Sequence, residues 1–141
     1  MLFIVYLCII YRVERLIVRN MLMRVGSLTL LDSNESKKRM CQIYNEVSKE
    51  LFGFGTTLLR ATVENNIVTF VAKHRRSPRS AALEVEAPGL KLEVDFRMSM
   101  LYKKRLREKL IEDMELDIEA LLRDYDAATQ WAITNIILKE S

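Results

Sequence analysis

The apolar residues that follow position 35 recur at steps of three and four, the spacing of one buried face of an α-helix. The cluster Asp32-Ser33-Asn34 precedes them, and its side chains can accept hydrogen bonds from the free N–H groups of a first helical turn. Gly53 follows them and tolerates the positive φ of a helix end. The pattern predicts a helix between the cluster and Gly53. Its apolar positions are Met40, Ile43, Tyr44, Val47 and Leu51.

Two stretches rich in β-forming residues come next, at positions 58–63 and 67–72, and side chains in both alternate between two faces. Glu64-Asn65-Asn66 separates them, and asparagine accepts the left-handed backbone angles of a tight turn. The pattern predicts a β-hairpin with one face packed on helices and the other partly in contact with water.

Two further helices are predicted after the hairpin. Ser77-Pro78 is typical of a helix start, because serine caps free N–H groups and the missing N–H of proline costs nothing in the first turn. A short helix over about residues 79–85 should end before the helix breaker Ala87-Pro88-Gly89. A long helix is then predicted from Leu90 to about Met114, where apolar residues keep the helical spacing.

The segment after the long helix has two interpretations. Helix propensity alone would extend the helix through residues 115–123, whereas residues 124–128 resemble a turn and residues 131–138 alternate as a strand. We favour a second hairpin with residues 118–125 as its first strand. Two hairpins make an antiparallel sheet of about four strands that about three helices can cover on one face. The predicted fold class is therefore α+β, in the order α-β-β-α-α-β-β.

Residues 1–31 stand apart as an apolar N-terminal extension, and we place a single α+β domain at residues 32–141. Arg12, Glu14 and Arg15 interrupt the apolar run far short of the ~20 apolar residues that a membrane-spanning helix needs. Three interpretations stay open: a buried β-strand, a helix on a partner or a membrane surface, and a segment that does not pack or that precedes a later start at Met21 or Met23.

The composition of this chain of 141 residues argues against several classes of function. Its net charge of +3 is too small for a nucleic-acid-binding domain. Cys8 and Cys41 form no CxxC pair, which argues against a disulfide scaffold or a zinc ribbon and fits a cytoplasmic protein. His74 is the only histidine, which disfavours a histidine-based metal centre or a Ser-His-Asp triad. We therefore expect no enzymatic activity, no cofactor and no metal.

Gly53-Phe54-Gly55 is the nearest approach to a phosphate-binding loop. Such a loop follows a strand and opens a helix, whereas these glycines follow a predicted helix and precede a predicted strand. We interpret the pair as a helix end. Asp124 and Asp126 match no calcium-binding loop, and we interpret them as turn residues.

His74, Arg75, Arg76 and Arg79 form the densest basic cluster of the chain. One hypothesis is a site for an anion or a partner, because guanidinium groups match carboxylate and phosphate and a helix start adds partial positive charge. The other hypothesis is a solvated strand end that discourages edge pairing.

Residues 40–138 resemble the MpsC family, a group long described only as a domain of unknown function. The resemblance rests on ELFGFG at residues 50–55, RSPRSAAL at 76–83, FR at 96–97 and RDYD…ITNIIL across 123–138. Thr56 departs from the family pattern, which has proline there, and Ser80 replaces an acidic residue. The resemblance implies a bacterial, cytoplasmic protein without known catalysis, the soluble component of a sodium-linked system that generates membrane potential. Its relatives are tied to membrane components for inorganic carbon uptake.

These observations support two functional hypotheses. In the first, the chain is a non-enzymatic accessory protein, a homodimer that docks to a membrane transporter component or another protein, peripheral to the membrane. In the second, it is a regulatory domain that binds an anion or a small molecule through the four residues of the basic cluster.

Overall fold

The computed structural model describes residues 1–140, without the side chains of residues 20, 21 and 23–29. The elements in chain order are α1 (Leu2–Leu31), α2 (Asn34–Phe52), β1 (Leu58–Glu64), β2 (Ile67–Lys73), α3 (Pro78–Glu86), α4 (Pro88–Met114), β3 (Ile118–Tyr125) and β4 (Trp131–Leu138).

The strands form one antiparallel sheet in the order β1-β2-β4-β3. Two hairpins, β1–β2 and β3–β4, are joined by pairing between the central strands, where Ile67 lies opposite Ile137 and Lys73 opposite Trp131. Asn65 closes the first hairpin with a φ of 54°. The predicted α+β class and the four-stranded antiparallel sheet are confirmed.

The core lies between one face of this sheet and the helices α2 and α4. Val68, Phe70 and Ala72 of β2 are buried, while the residues between them on the strand are not, so the alternation turns one set of side chains towards the helices. The predicted helical face is also buried, with only Leu51 partly exposed. The fully buried residues of the two helices are Met40, Ile43, Tyr44, Val47, Ser48, Tyr102, Leu106 and Leu110.

The helix ends follow the predicted capping chemistry. The Ser33 hydroxyl accepts a hydrogen bond from Ser36 N–H at 3.1 Å, and Gly53 ends α2 with a φ of 87°. The Ser77 hydroxyl likewise accepts from Ser80 N–H at the start of α3. The long helix begins two residues earlier than predicted, because Pro88 occupies its first turn, where it loses no hydrogen bond.

The second hairpin is confirmed, and the extension of the long helix through residues 115–123 is wrong. α4 ends at Met114 because Glu115 adopts a left-handed φ of 53°, which redirects the chain into β3. The turn between β3 and β4 closes with Gln130 at a φ of 66°. The Asp126 carboxylate accepts hydrogen bonds from Ala128 N–H and the Thr129 hydroxyl, as expected of a turn residue.

Residues 2–31 form a helix, so the interpretation of the first residues as a buried β-strand is wrong. Every side chain from residue 1 to residue 19 is exposed, and Phe3 retains 81% of its surface. Leu31 at the other end belongs to the core. No helix in the described part of the chain combines the length and the apolarity needed to cross a bilayer.

Candidate functional site

A pocket of about 380 Å³ lies where the sheet meets the first half of α4. The ends of β2 and β3 form its floor, the end of α2 forms one wall, and α3 and α4 complete it. We call it the basic pocket. Its charged and hydrogen-bonding lining residues are His74, Arg75, Ser77, Arg79, Ser80, Lys91, Asp95, Ser99, Arg123, Tyr125 and Gln130.

His74 follows β2 directly and is only 8% exposed. Its backbone N–H donates to the Gln130 carbonyl at 2.9 Å, and its ring packs edge-on against Phe52 and Tyr102. Burial, and secondly the charge of Arg123, lower the pKa of His74 from 6.5 to about 4. The imidazole is therefore neutral at pH 7. Its Nε2 lies 3.2 Å from Arg123 Nη2, which can donate to it.

Arg123 is the central cation of the basic pocket. Its guanidinium carbon lies 4.4 Å from the ring centroid of Tyr102 and 5.5 Å from that of Tyr125. Nη1 donates to the Ser99 hydroxyl at 2.7 Å, and Nη2 meets His74, but both of these partners are neutral. Nε is buried and has no hydrogen-bond partner among the described residues. No carboxylate among the described side chains forms an ion pair with this guanidinium.

The other charged residues of the pocket do not neutralise the positive charge of Arg123. Among the residues that the structure describes, Asp95 is the only acidic one that lines the pocket, and it is paired with Lys91 one helical turn earlier. Lys91 itself is buried, with 6% of its side chain exposed. Arg75 and Arg79 add two more positive charges, so four cations face one carboxylate and the lining carries a net charge of +3.

The remaining wall is apolar. Phe54 lies in the loop after α2, Leu83 on α3 and Met98 on α4, and each lines the pocket with half of its side chain or less in contact with solvent. Phe52 stacks on Tyr102 with ring centroids 5.8 Å apart, which fixes the aromatic side of the cavity. The pocket therefore combines a cationic floor with an aromatic and aliphatic wall.

Three of the four residues predicted from the basic cluster line this pocket: His74, Arg75 and Arg79. Arg76 does not. Its guanidinium donates to the Ala127 carbonyl at 3.1 Å and pairs with Glu84 at 3.2 Å, so it ties α3 to the turn between β3 and β4.

Sequence reasoning missed Arg123 and Lys91 as pocket residues. Arg123 lies on the helix-facing side of β3, with Leu121 and Tyr125 on the same side at alternate positions. The alternation of side chains along β3 therefore places an arginine at a position that faces the helices. This placement could have been recognised from the sequence. Lys91 offers no comparable signal, because it stands among charged residues of a helix.

The glycine pair has a structural role. Gly53 is the helix cap, as predicted, and a Cβ added at Gly55 would lie 3.2 Å from Asn45 Oδ1. That oxygen accepts hydrogen bonds from the backbone N–H and the hydroxyl of Thr56. The loop is therefore packed against α2 and brings Phe54 to the pocket wall.

The geometry suits binding better than bond-making chemistry. The only hydroxyl within hydrogen-bond distance of the His74 ring, among the described side chains, is the buried Tyr44 hydroxyl at 3.3 Å. The Ser99 hydroxyl is held by Arg123. Over the described residues, no three side chains of the His, Cys, Asp and Glu types gather as metal ligands, and we assign no metal site.

Comparisons with protein-family models, with curated proteins and with solved structures found no match to this chain. The resemblance to the MpsC family therefore stays a prediction. Function has to be argued from the basic pocket and from the exposed surfaces of the molecule.

Proposed function

We propose that this chain is a non-enzymatic accessory protein that binds a small organic anion in the basic pocket and responds to it. The observation that carries the proposal is Arg123, a half-buried cation whose Nε is buried without a hydrogen-bond partner among the described residues and whose other side-chain partners are neutral. The buried Nε has lost water without gaining a partner, and no described carboxylate pairs with the guanidinium, which is unfavourable. A bound carboxylate or phosphate would supply the missing charge.

The surroundings of Arg123 favour an anion over a neutral ligand. Guanidinium groups have five N–H donors, and two of those of Arg123 are used, by Ser99 and His74. Arg79 and Arg75 lie at the rim and add attraction. The low pKa of His74 keeps the imidazole uncharged, so the ring contributes a neutral hydrogen-bonding surface beside the cation.

The size and the apolar wall of the pocket limit the uncharged part of the ligand. A cavity of about 380 Å³ is at the small end of ligand pockets, which enclose roughly 300–1,000 Å³. Phe52, Phe54 and Met98 present aromatic and flexible apolar surface rather than hydrogen-bonding groups. The ligand class that fits is an organic acid or phosphate ester with a flat or branched apolar part.

Isothermal titration calorimetry with benzoate, phenyl phosphate and inorganic phosphate tests this function, with sodium chloride and benzylammonium as controls. We expect saturable binding of the aromatic anions and none of benzylammonium. Arg123→Gln should weaken binding about 10- to 100-fold, since a hydrogen bond to a charged group contributes about 1.5–3 kcal/mol.

Two further variants keep the test decisive. Arg79→Gln removes an exposed pocket charge that the fold does not need, and it should also weaken binding. Arg97→Gln is the matched control, because Arg97 lies on α4 outside the pocket with 74% of its side chain exposed. Failure of every anion to bind the wild-type chain, or equal weakening by Arg97→Gln, would refute the proposal.

A second candidate function is docking at a membrane, and the observation that favours it is α1. The first eleven residues present uninterrupted apolar surface to solvent, and Arg12, Arg15 and Arg19 follow on one side of the helix. Exposed apolar surface next to basic residues is typical of helices that lie on anionic lipid. The MpsC resemblance implies the same location, beside a membrane component. Sedimentation with vesicles of anionic lipid should capture the full chain and not a variant without residues 1–20, and equal capture of both would exclude this role for α1.

A further inference from the structure

The face of the sheet that points away from the helices is unusually apolar for a surface in water. Leu58, Ile67, Leu122 and Ile133 lie on it and retain 39%, 39%, 56% and 48% of their surface. Helices cover only the other face within the described chain. We call this surface the open face. Its remaining apolar residues, all half-buried, are Val71, Ala120, Trp131 and Ile137.

Charged side chains on the open face are Arg60 and Glu64 of β1, Lys73 of β2 and Asp124 of β3. The strand registers align Arg60, Val71, Ile133 and Asp124 in a single row across the four strands. Arg60 lies at the β1 edge and Asp124 at the β3 edge, with two apolar residues between them. Neither side chain forms an ion pair with any described residue of its own chain.

This row is complementary to itself under one symmetry operation. A two-fold axis that lies between two open faces and runs parallel to the strands places the β1 edge of one copy over the β3 edge of the other. Arg60 of each copy then faces Asp124 of the other, and Val71 faces Ile133. A two-fold axis perpendicular to the strands would instead place β1 over β1 and bring the arginines to the same edge. The Arg60 and Asp124 charges therefore favour the first arrangement, in which Lys73 faces Trp131 of the other copy and Glu64 faces Ala120.

We propose that two copies of this chain form a homodimer by packing their open faces together as aligned sheets, with two reciprocal Arg60–Asp124 ion pairs at the edges. Stacked sheets pack about 10 Å apart, which leaves room for the apolar side chains of both faces. Four strands about 4.8 Å apart and seven or eight residues long cover roughly 450 Å² per copy. The two copies together bury roughly 900 Å², below the roughly 1,200 Å² at which standard-size interfaces begin, so we expect a weak dimer that depends on concentration.

Sedimentation velocity over a concentration series of the full chain tests the dimer, with a second readout from Trp131. This residue is the only tryptophan, and it lies on the open face, so its emission should shift to shorter wavelength as the dimer forms. Arg60→Glu alone and Asp124→Arg alone each place like charges opposite one another, and each should weaken the dimer at least about tenfold.

Two combinations of these substitutions then test whether Arg60 of one copy contacts Asp124 of the other. The chain that carries both Arg60→Glu and Asp124→Arg should dimerise like wild type, because each pair is restored with reversed sign. An equimolar mixture of the two single variants should also form a dimer, since the symmetry pairs the introduced glutamate of one variant with the introduced arginine of the other, and the native Arg60 with the native Asp124.

Phe96→Glu is the control for the exposed apolar surface of α4, because Phe96 lies on that helix and is 67% exposed. It should leave the dimer unchanged. The proposal is overturned by a wild-type chain that stays monomeric, by single variants that dimerise normally, or by failure of the double variant to recover. Loss of the dimer through Phe96→Glu alone would place the interface on α4 instead.

Discussion

His74 should make the stability of this protein fall steeply between pH 7 and pH 5. The folded chain holds the imidazole at a pKa of about 4, against 6.5 for an unperturbed histidine, because the ring is buried and lies beside Arg123. The unfolded chain therefore binds a proton at a higher pH than the folded chain does. Stability is fully present above pH 6.5 and is lost progressively as the pH falls towards 4.

The magnitude follows from the difference in pKa. Each unit corresponds to about 1.4 kcal/mol, so the difference amounts to about 3 kcal/mol below pH 4. About 2 kcal/mol of this loss falls between pH 7 and pH 5, before most carboxylates titrate. His74 is the only histidine, so no other imidazole contributes to the slope in this window.

Urea unfolding at half-unit steps from pH 7.5 to pH 5 measures the slope in wild type and in His74→Gln. Glutamine retains an acceptor for Arg123 but does not titrate, so its curve should be nearly flat in this range, whatever its absolute stability. If the free energy of unfolding changed equally with pH in the two proteins, His74 would not be held neutral in the folded chain. The description of the pocket floor as a neutral imidazole beside a cation would then be wrong.

Two further predictions concern the core and α1. Tyr102→Phe should lower the free energy of unfolding by about 1–3 kcal/mol, because the buried hydroxyl donates to the Tyr44 carbonyl and meets the Ser48 hydroxyl, both at 2.7 Å. Tyr11→Phe, the same change at an exposed position, should have no effect in the same urea titration, and equal losses would contradict the argument. Deletion of residues 1–20 should change the unfolding free energy by less than about 0.5 kcal/mol, since the described side chains of that segment are exposed, and a larger loss would show that α1 supports the domain.

Local chemistry in the sequence was sufficient for α2 and for the first hairpin. The buried face of α2 repeats at the helical step, Ser33 and Gly53 mark its ends, and Asn65 occupies the left-handed turn position. Each of these signals lies within a few residues of the structure that it specifies. The end of α4 was harder, because Glu115 is a good helix former held in a left-handed conformation by the chain around it.

The basic pocket could be predicted only in part, because it is assembled from elements far apart in the chain. His74 and Arg123 are 49 positions apart and meet only because β2 and β3 run in the same direction and finish at the same end of the sheet. Contacts with distant parts of the chain also explain why two neighbouring arginines occupy different surroundings. Arg75 lines the pocket, whereas Arg76 is drawn away by the turn between β3 and β4 and by Glu84. No local pattern distinguishes the two arginines.

The strand order has a consequence for how the chain can fold during synthesis. β4 is the last element described and yet lies between β2 and β3, so the centre of the sheet joins residues about 70 positions apart, as in Ile67 opposite Ile137. Until that strand leaves the ribosome, β2 has one unpaired edge and β3 has no neighbour at all. Long-range pairing of this kind forms slowly and leaves strand edges open in the meantime. The nascent chain should therefore depend on protection of those edges until its final strand closes the gap between the two halves.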